Sequence, residues 1–325
     1  MAVTSESVWG IPAWFRTRTV PTTVALALAL ALGLGLAGCV GGEPRPSGSA
    51  GDSVSVVAST TILGSVAGQV VACGGGGATT LMPVGADPHD YSPSSADVAA
   101  IVEADLVIIN GLGLEEGLTS ALATAREDGA ALLEVGPALN PQPFGSSSDS
   151  LDPHVWLDVS RMATAATAIG DELVKVTGDA AFGECGKKIA STLTATDSEV
   201  AAILDGVPAA SRTLVTDHDA FGYFSRAYGF TVAGVVIPGG STLAQPSSEE
   251  LAALAGTVRT AGVKAIFANS ANPTALIEAL AKESGQQVAV VQLYVGSLGP
   301  AGSGADTYQG MMLTNAHLIA DALVG

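Results

Sequence analysis

The chain has 325 residues, of which 48% are hydrophobic and only 14% are charged. This composition is too apolar for an intrinsically disordered chain, and the length suits one or two domains that can each bury a core. Asp and Glu number 31 against 13 Lys and Arg, which gives a net charge of −18. Because nucleic-acid-binding domains carry clustered basic residues, this balance argues against a nucleic acid as the partner.

The first 38 residues have the organisation of a secretory signal. Arg16 and Arg18 precede an apolar run at 24–36, and two small residues then separate this run from Cys39. The run is short for a membrane-spanning helix, which needs roughly 20 apolar residues. The pattern therefore predicts a signal peptide over residues 1–38.

The end of this signal, Leu36-Ala-Gly-Cys39, resembles the bacterial lipobox, in which the cysteine is lipidated and becomes the new N-terminus. The following Gly-, Ser- and Pro-rich stretch is typical of a flexible tether, which we assign to residues 39–53. The alternative is an ordinary signal peptide in which Cys39 is incidental. The lipid interpretation predicts an exported protein anchored to the outer face of the bacterial cell membrane through Cys39. Because the remaining chain is strongly acidic, the lipid is expected to be its only membrane contact.

From residue 54 onwards, short β-branched runs alternate with segments of helical spacing. Strands are predicted at 54–58, 79–83, 106–109 and 131–135, and helices at 62–71, 95–103 and 114–126. This alternation is the βαβα signature of a mostly parallel sheet flanked by helices. We assign residues 54–178 to an N-terminal α/β lobe.

The second half repeats the pattern. An amphipathic stretch without proline at 179–205 predicts one long rigid helix, and residues 179–206 are assigned to it as the link between two lobes. Residues 207–325 form the predicted C-terminal α/β lobe. Its strands are predicted at 213–216, 231–237, 265–268 and 288–293, and its helices at 248–261, 274–284 and 316–324.

Two cysteines remain once Cys39 is assigned to lipid. Cys73 and Cys185 would lie in an oxidising compartment, where disulfides persist. The sequence leaves open whether they pair, because it does not show that their Cα atoms come close enough.

Three of the four histidines lie in similar surroundings. His89 and His154 each end an Asp-Pro-His tripeptide, and His218 lies between Asp217 and Asp219. All three fall on predicted loops at or near strand ends, where ligands collect in open α/β sheets. Neutral imidazole is a favoured zinc ligand, and a neighbouring carboxylate can orient the ring. Spacings of roughly 65 residues form no compact motif, so the pattern alone leaves a metal site and structural histidines about equally supported.

A resemblance adds to this pattern. Segments at 82–93, 152–158, 217–229, 245–250, 262–267 and 297–312 resemble, in order, the solute receptors of zinc and manganese ABC transporters. The resemblance covers the chain from about residue 54 to its end. It implies two α/β lobes bridged by a long helix, a metal bound between the lobes, delivery to a membrane permease, and His89, His154 and His218 as ligands.

The chain departs from this family at the fourth ligand. Family members commonly have an Asp where Gly296 stands, and a Glu where Asn269 stands. The fourth ligand is then expected to be water or a carboxylate from elsewhere, for which Asp306 is a candidate. Asp217 and Asp219 are further candidates, either as the fourth ligand or as groups that orient the histidine rings. The loop at 141–152 lacks the His-rich insertion of many zinc-specific members. His317 lies outside the family's ligand positions and is read as a surface residue.

The resulting hypothesis is a monomeric, lipid-anchored receptor that captures a divalent transition metal and delivers it to an ABC permease. Three imidazoles favour Zn²⁺, while Mn²⁺, which prefers oxygen ligands, is the alternative. Two other classes stay open. A three-histidine site could belong to a zinc hydrolase, although the sequence has no clear general base or nucleophile motif. The metal could also be a structural clip in a surface adhesin or lipoprotein scaffold.

Overall fold

A computed structural model of the protein describes residues 54–144 and 150–324. The predicted signal peptide, Cys39 and the whole predicted tether lie outside the described residues. No helix within the described ranges is both long and apolar enough to span a bilayer.

The first lobe is built on four parallel strands in the order β2-β1-β3-β4. The register places Val57 beside Thr79 of β2 on one side and Val107 of β3 on the other. The elements are β1 (Ser55–Ala58), α1 (Thr61–Cys73), β2 (Gly77–Thr80), α2 (Ser95–Glu103), β3 (Leu106–Ile109), α3 (Thr119–Glu127) and β4 (Leu132–Glu134).

The second lobe has the same plan, with four parallel strands in the order β6-β5-β7-β8. Its elements are β5 (Thr213–His218), α6 (Gly222–Tyr228), β6 (Thr231–Ile237), α7 (Ser248–Ala261), β7 (Ala265–Asn269), α8 (Ala275–Glu283), β8 (Ala289–Leu293) and α9 (Tyr308–Val324). Between the two sheets in sequence lie α4 (Val159–Thr177) and α5 (Ala181–Asp205). The predicted fold class is confirmed.

Local sequence signals account for many of these boundaries. The Ser94 and Ser247 hydroxyls accept hydrogen bonds from the third helical residue of α2 and α7, and the acidic side chains of Asp97 and Glu250 complete two capping boxes. Strand β3 is buried along its whole length, as its continuous apolar sequence predicts. Helix α4 is followed by Gly178, whose left-handed conformation suits glycine and caps the helix C-terminus.

Helices α4, α6 and α9 differ most from the sequence predictions, and α6 was not predicted. Helix α4 was not among the predicted helices, although its large buried side chains Met162, Ile169 and Leu173 recur at helical spacing. Helix α9 begins at Tyr308, eight residues before the predicted start at 316. Gly310, a poor helix former, obscures this first turn.

One large hydrophobic core fills the space between the two sheets and the helices α1, α4, α5, α6 and α9. Two smaller cores lie on the opposite faces of the sheets, under α2 and α3 in the first lobe and under α7 and α8 in the second. Helix α5 packs against α4, α1 and α9, so it contacts elements of both lobes. It has 25 residues, which correspond to a length of about 37 Å.

Helices α4 and α5 cross at a point where both carry glycine. A Cβ atom on Gly186 would lie 2.7 Å from the carbonyl oxygen of Ala166 and 3.0 Å from the Cα of Gly170. Both neighbours are backbone atoms, so relief requires the helices to move apart. We expect Gly186→Ala to lower the free energy of unfolding by about 1–3 kcal/mol, measured by urea denaturation.

Gly68 of α1 provides the control for this substitution. No atom lies within 4 Å of its would-be Cβ, so Gly68→Ala should raise stability by up to about 1 kcal/mol through helix propensity. Equal effects of the two substitutions would contradict the close crossing of α4 and α5.

A disulfide joins the two cysteines whose pairing the sequence left open. Cys73, the last residue of α1, is bonded to Cys185 of α5, with a Cα–Cα distance of 5.7 Å and a sequence separation of 112. The bond attaches the N-terminal part of α5 to a helix of the first lobe.

Candidate metal centre

The three histidines come from three separate parts of the chain. His89 lies in the loop between β2 and α2, and His154 directly precedes a short 3-10 turn, Val155–Leu157, that leads into α4. His218 is the last residue of β5 and not, as predicted, a residue beyond the strand. Their proximity therefore depends on how the two lobes pack together.

The structure brings these three side chains into one group. His89 Nε2 and His154 Nε2 are 3.2 Å apart, and one ring nitrogen of each histidine lies within 4.8 Å of the others. All three are buried, with exposures of 4%, 1% and 2% for His89, His154 and His218. Across the described ranges, this is the one cluster of three or more His, Cys, Asp or Glu side chains with the geometry to hold a metal ion.

Two of the imidazoles are oriented by neighbouring carboxylates. Asp152 Oδ1 lies 2.9 Å from His154 Nδ1, and Asp217 Oδ1 lies 3.0 Å from His218 Nδ1. Each of these oxygens also accepts a hydrogen bond from the backbone N–H of its histidine. The other oxygen of Asp217 accepts from the backbone N–H of Asn269. These bonds leave Nε2 as the free nitrogen of each ring, which is the arrangement that protein metal sites use to fix a histidine ligand.

His89 is held differently. Its Nδ1 is buried and has no hydrogen-bond partner among the described residues. Asp87 instead accepts from the backbone N–H of His89 at 3.0 Å, and its second oxygen accepts from Thr242 Oγ1 at 2.7 Å. Because Thr242 follows β6, this carboxylate links the His89 loop to the second lobe.

Burial and neighbouring charges together set the protonation of the three histidines. Burial lowers the pKa of His89 to about 3, with a further contribution from the nearby His154. Burial and the proximity of His218 place the pKa of His154 well below its usual value. For His218, burial also favours the neutral ring, but the hydrogen bond and charge of Asp217 outweigh it and raise the pKa. Two of the three imidazoles are thus neutral near pH 7, with lone pairs available to a cation.

Asp152 is also affected by its surroundings. Burial raises the pKa of its carboxyl to about 7, although the hydrogen bond from the His154 backbone opposes this shift. Burial and the nearby Asp152 raise the pKa of Asp219, which is partly exposed. Neither carboxylate belongs to the converging group.

Asp306, the candidate for the fourth ligand, is not part of the three-histidine group. It is exposed, and its carboxylate accepts a hydrogen bond from the backbone N–H of Gly302 in its own loop. This hydrogen bond holds the short Asp306 side chain in a turn at the protein surface. His317, on α9, is exposed as predicted.

Gly296 and Asn269 lie beside the site. A Cβ atom on Gly296 would be 2.9 Å from Pro88 Cδ and 3.6 Å from Asn269 Nδ2. Gly296 does not have a positive φ angle, so its backbone conformation does not require glycine, but a Cβ atom here would force Pro88 to shift. Gly296 thus adjoins the residue that precedes His89.

Sequence reasoning missed the residues that hold the His154 segment from a distance. The carbonyl of Pro153 accepts from Asn110 Nδ2 at 2.9 Å, and the indole of Trp156 donates to the carbonyl of Val295 at 2.8 Å. The carbonyl of Trp156 accepts from Tyr308 Oη at 2.6 Å. These partners are 43 to 152 residues away in sequence, and no local motif marks them.

Comparison with known proteins agrees with this geometry. A family model described as "Zinc-uptake complex component A periplasmic" matches residues 56–322. The manganese-binding lipoprotein MntA of Halalkalibacterium halodurans is 29% identical over 289 residues, which cover 88% of this chain and 94% of that protein. The manganese ABC transporter substrate-binding lipoprotein PsaA of Streptococcus mitis is 26% identical over 302 residues, covering 89% and 94%.

The zinc-binding protein TroA of Treponema pallidum is similar in both sequence and structure. It is 34% identical over 251 residues, which cover 75% of this chain and 80% of that protein. A solved structure of TroA superimposes with a TM-score of 0.78 at 32% identity, covering 84% of this chain and 99% of that chain. These matches exclude the hydrolase alternative, because the family consists of receptors. The chain therefore belongs to the periplasmic zinc-uptake component A family, whose members are metal-binding substrate-binding proteins of ABC transporters.

Proposed function

We propose that this protein captures zinc outside the cell at His89, His154 and His218 and delivers it to an ABC permease in the membrane. The observation that carries the proposal is the convergence of three buried imidazoles, two of them oriented by carboxylates. Such a group matches the ligand chemistry of zinc. The protein acts as a monomer held at the membrane by lipid on Cys39.

The choice of zinc over manganese depends on the donor set. No carboxylate of the described residues joins the three histidines, and Mn²⁺ prefers oxygen ligands while imidazole suits Zn²⁺. Relatives are named for either metal, so similarity does not discriminate. Water is expected to occupy the fourth tetrahedral position next to Gly296.

The test is metal analysis followed by competition. Protein purified without added metal is analysed for bound metals and stripped with a chelator, and Zn²⁺ and Mn²⁺ then compete for the site against a chromophoric chelator. One zinc per chain and a clear preference for Zn²⁺ are expected. A preference for Mn²⁺ would move the assignment to manganese. Unfolding of the stripped protein would instead indicate a structural clip, because structural zinc contributes folding free energy directly.

Gly296→Asp tests the fourth coordination position. An added carboxylate is expected to shift the ratio of Mn²⁺ to Zn²⁺ affinity towards Mn²⁺ by about tenfold or more, because it adds a hard oxygen ligand. Gly296→Ala is the matched control: it introduces the same Cβ beside Pro88 without a carboxylate, so strain in the His89 loop affects both variants. Competition titration with both metals gives the ratio. An unchanged ratio in Gly296→Asp would mean that another group already fills the fourth position.

Cys39→Ser tests the lipid anchor. We expect the variant to leave the membrane fraction, since Cys39 follows Leu36-Ala-Gly and would carry the acyl chains. Metabolic labelling with an alkyne fatty acid, detected after immunoprecipitation, measures the modification directly. Equal labelling of wild type and Cys39→Ser would refute the assignment of lipid to this residue.

A further inference from the structure

Tyr223 connects the second lobe to the segment that carries His154. It is the second residue of α6 and is 1% exposed. Its hydroxyl donates a hydrogen bond to the carbonyl of Asp152 at 2.8 Å and accepts one from the backbone N–H of Gln142 at 2.9 Å. Both partners lie on the chain leading to His154, and Gln142 in turn accepts through its carbonyl from the backbone N–H of Asp152.

The start of α6 also contacts the side chain of Asp152. A Cβ atom on Gly222 would lie 2.8 Å from Asp152 Oδ2, so the absence of a side chain at 222 leaves room for this carboxylate. Asp152 Oδ1 is the atom that bonds His154 Nδ1. Gly222 therefore constrains the side-chain carboxylate of Asp152, and Tyr223 constrains its backbone carbonyl.

The aromatic ring of Tyr223 is itself held in place. The Arg161 guanidinium lies 4.7 Å from the ring centroid and that of Arg226 lies 5.9 Å away, distances at which cations interact with aromatic faces. Helix α6 also begins only four residues after His218. Helix α6 thus follows closely after His218 and also contacts Asp152, the residue that orients His154.

We propose that Tyr223 is a positioning residue for metal binding, which acts through Asp152 to hold His154 in register with His218. Gly222 serves the same purpose by admitting the Asp152 carboxylate. The inference rests on the proposed zinc site and adds to it a determinant of affinity that does not touch the metal. Its physical basis is that a group hydrogen-bonded to a metal ligand, here Asp152, fixes the orientation of the ligand and contributes about 10–100-fold to metal affinity. Tyr223 acts through this group.

The decisive comparison is between two tyrosines of the same helix. Tyr223→Phe removes only the hydroxyl that bonds Asp152. Tyr228→Phe removes the hydroxyl that donates to Asp197 Oδ1 of α5 at 2.7 Å and accepts from the backbone N–H of Val159 at 3.5 Å; neither bond involves Asp152 or His154. Zn²⁺ affinity is measured by chelator competition, the absorption spectrum of bound Co²⁺ reports coordination geometry, and thermal unfolding of the metal-free protein reports stability.

Tyr223→Phe is expected to weaken Zn²⁺ binding about tenfold and to change the Co²⁺ spectrum. Tyr228→Phe should leave affinity and spectrum unchanged while lowering the unfolding temperature. Gly222→Ala, which displaces the Asp152 carboxylate without removing any hydroxyl, should reproduce the affinity loss. Wild-type affinity and spectrum in Tyr223→Phe would overturn the inference, as would equal losses of affinity in Tyr223→Phe and Tyr228→Phe. Failure of the underlying zinc site would appear separately, as wild-type protein that does not bind Zn²⁺.

Discussion

Replacing His154 with alanine is expected to weaken Zn²⁺ binding by more than about 100-fold, because loss of a group that only hydrogen-bonds a metal ligand already costs about 10–100-fold. The same result is expected for His89→Ala and His218→Ala. Each substitution removes one of three convergent ring nitrogens, and no other described His, Cys, Asp or Glu joins the group to replace it. Chelator competition gives the affinities, and metal analysis after desalting gives the stoichiometry.

His317→Ala is the internal control for these variants. His317 is exposed on α9, so its removal should change neither affinity nor stoichiometry. Because each site variant also leaves a buried cavity, circular dichroism of the metal-free proteins must show that the fold is retained. Wild-type affinity in all three folded site variants would refute the ligand assignment.

Loss of the disulfide is expected to have the largest effect on stability. Cys73→Ser should lower the free energy of unfolding by about 3–5 kcal/mol, because the bond closes a long loop and restricts the unfolded chain. The sequence separation is 112 residues. Cys73 is the better position for this change, because it is exposed while Cys185 is buried in the core. Urea denaturation followed by tryptophan fluorescence measures the difference under oxidising conditions.

Two controls identify the disulfide as the cause. Wild-type protein treated with a reductant should unfold at the same urea concentration as Cys73→Ser. The same reductant should have no effect on the Cys73→Ser/Cys185→Ser double variant. A wild-type midpoint that does not respond to reductant would contradict the stabilising role of the bond.

Most of the architecture follows from local sequence. The runs at 106–109 and 231–237 are apolar or β-branched over their whole length, and the caps at Ser94 and Ser247 mark helix starts independently of the rest of the chain. Helix α4 also carries a local signal that the sequence prediction did not use, since Asp158 caps its first turn and its large buried side chains recur at helical spacing. What the sequence does not show is the close packing of α4 against α5 at Gly170 and Gly186. A glycine or alanine in isolation carries no signal of such packing.

The candidate ligands could also be predicted from sequence. The repeated Asp-Pro-His tripeptide and the flanked His218 are visible without any structure, and the resemblance to metal receptors adds the expected roles. The sequence likewise contains the departure at Gly296. These features are local, because each consists of a residue and its immediate neighbours.

Only the tertiary structure decided which groups meet. It brought His89, His154 and His218 together from positions 65 and 64 residues apart, paired Cys73 with Cys185, and left Asp306 on the surface. It also revealed the hydrogen bond from the Tyr223 hydroxyl to the backbone carbonyl of Asp152. The physical reason is that hydrogen bonding and burial depend on distance in space, and two lobes packed against one another create neighbours that no periodicity or spacing along the chain encodes.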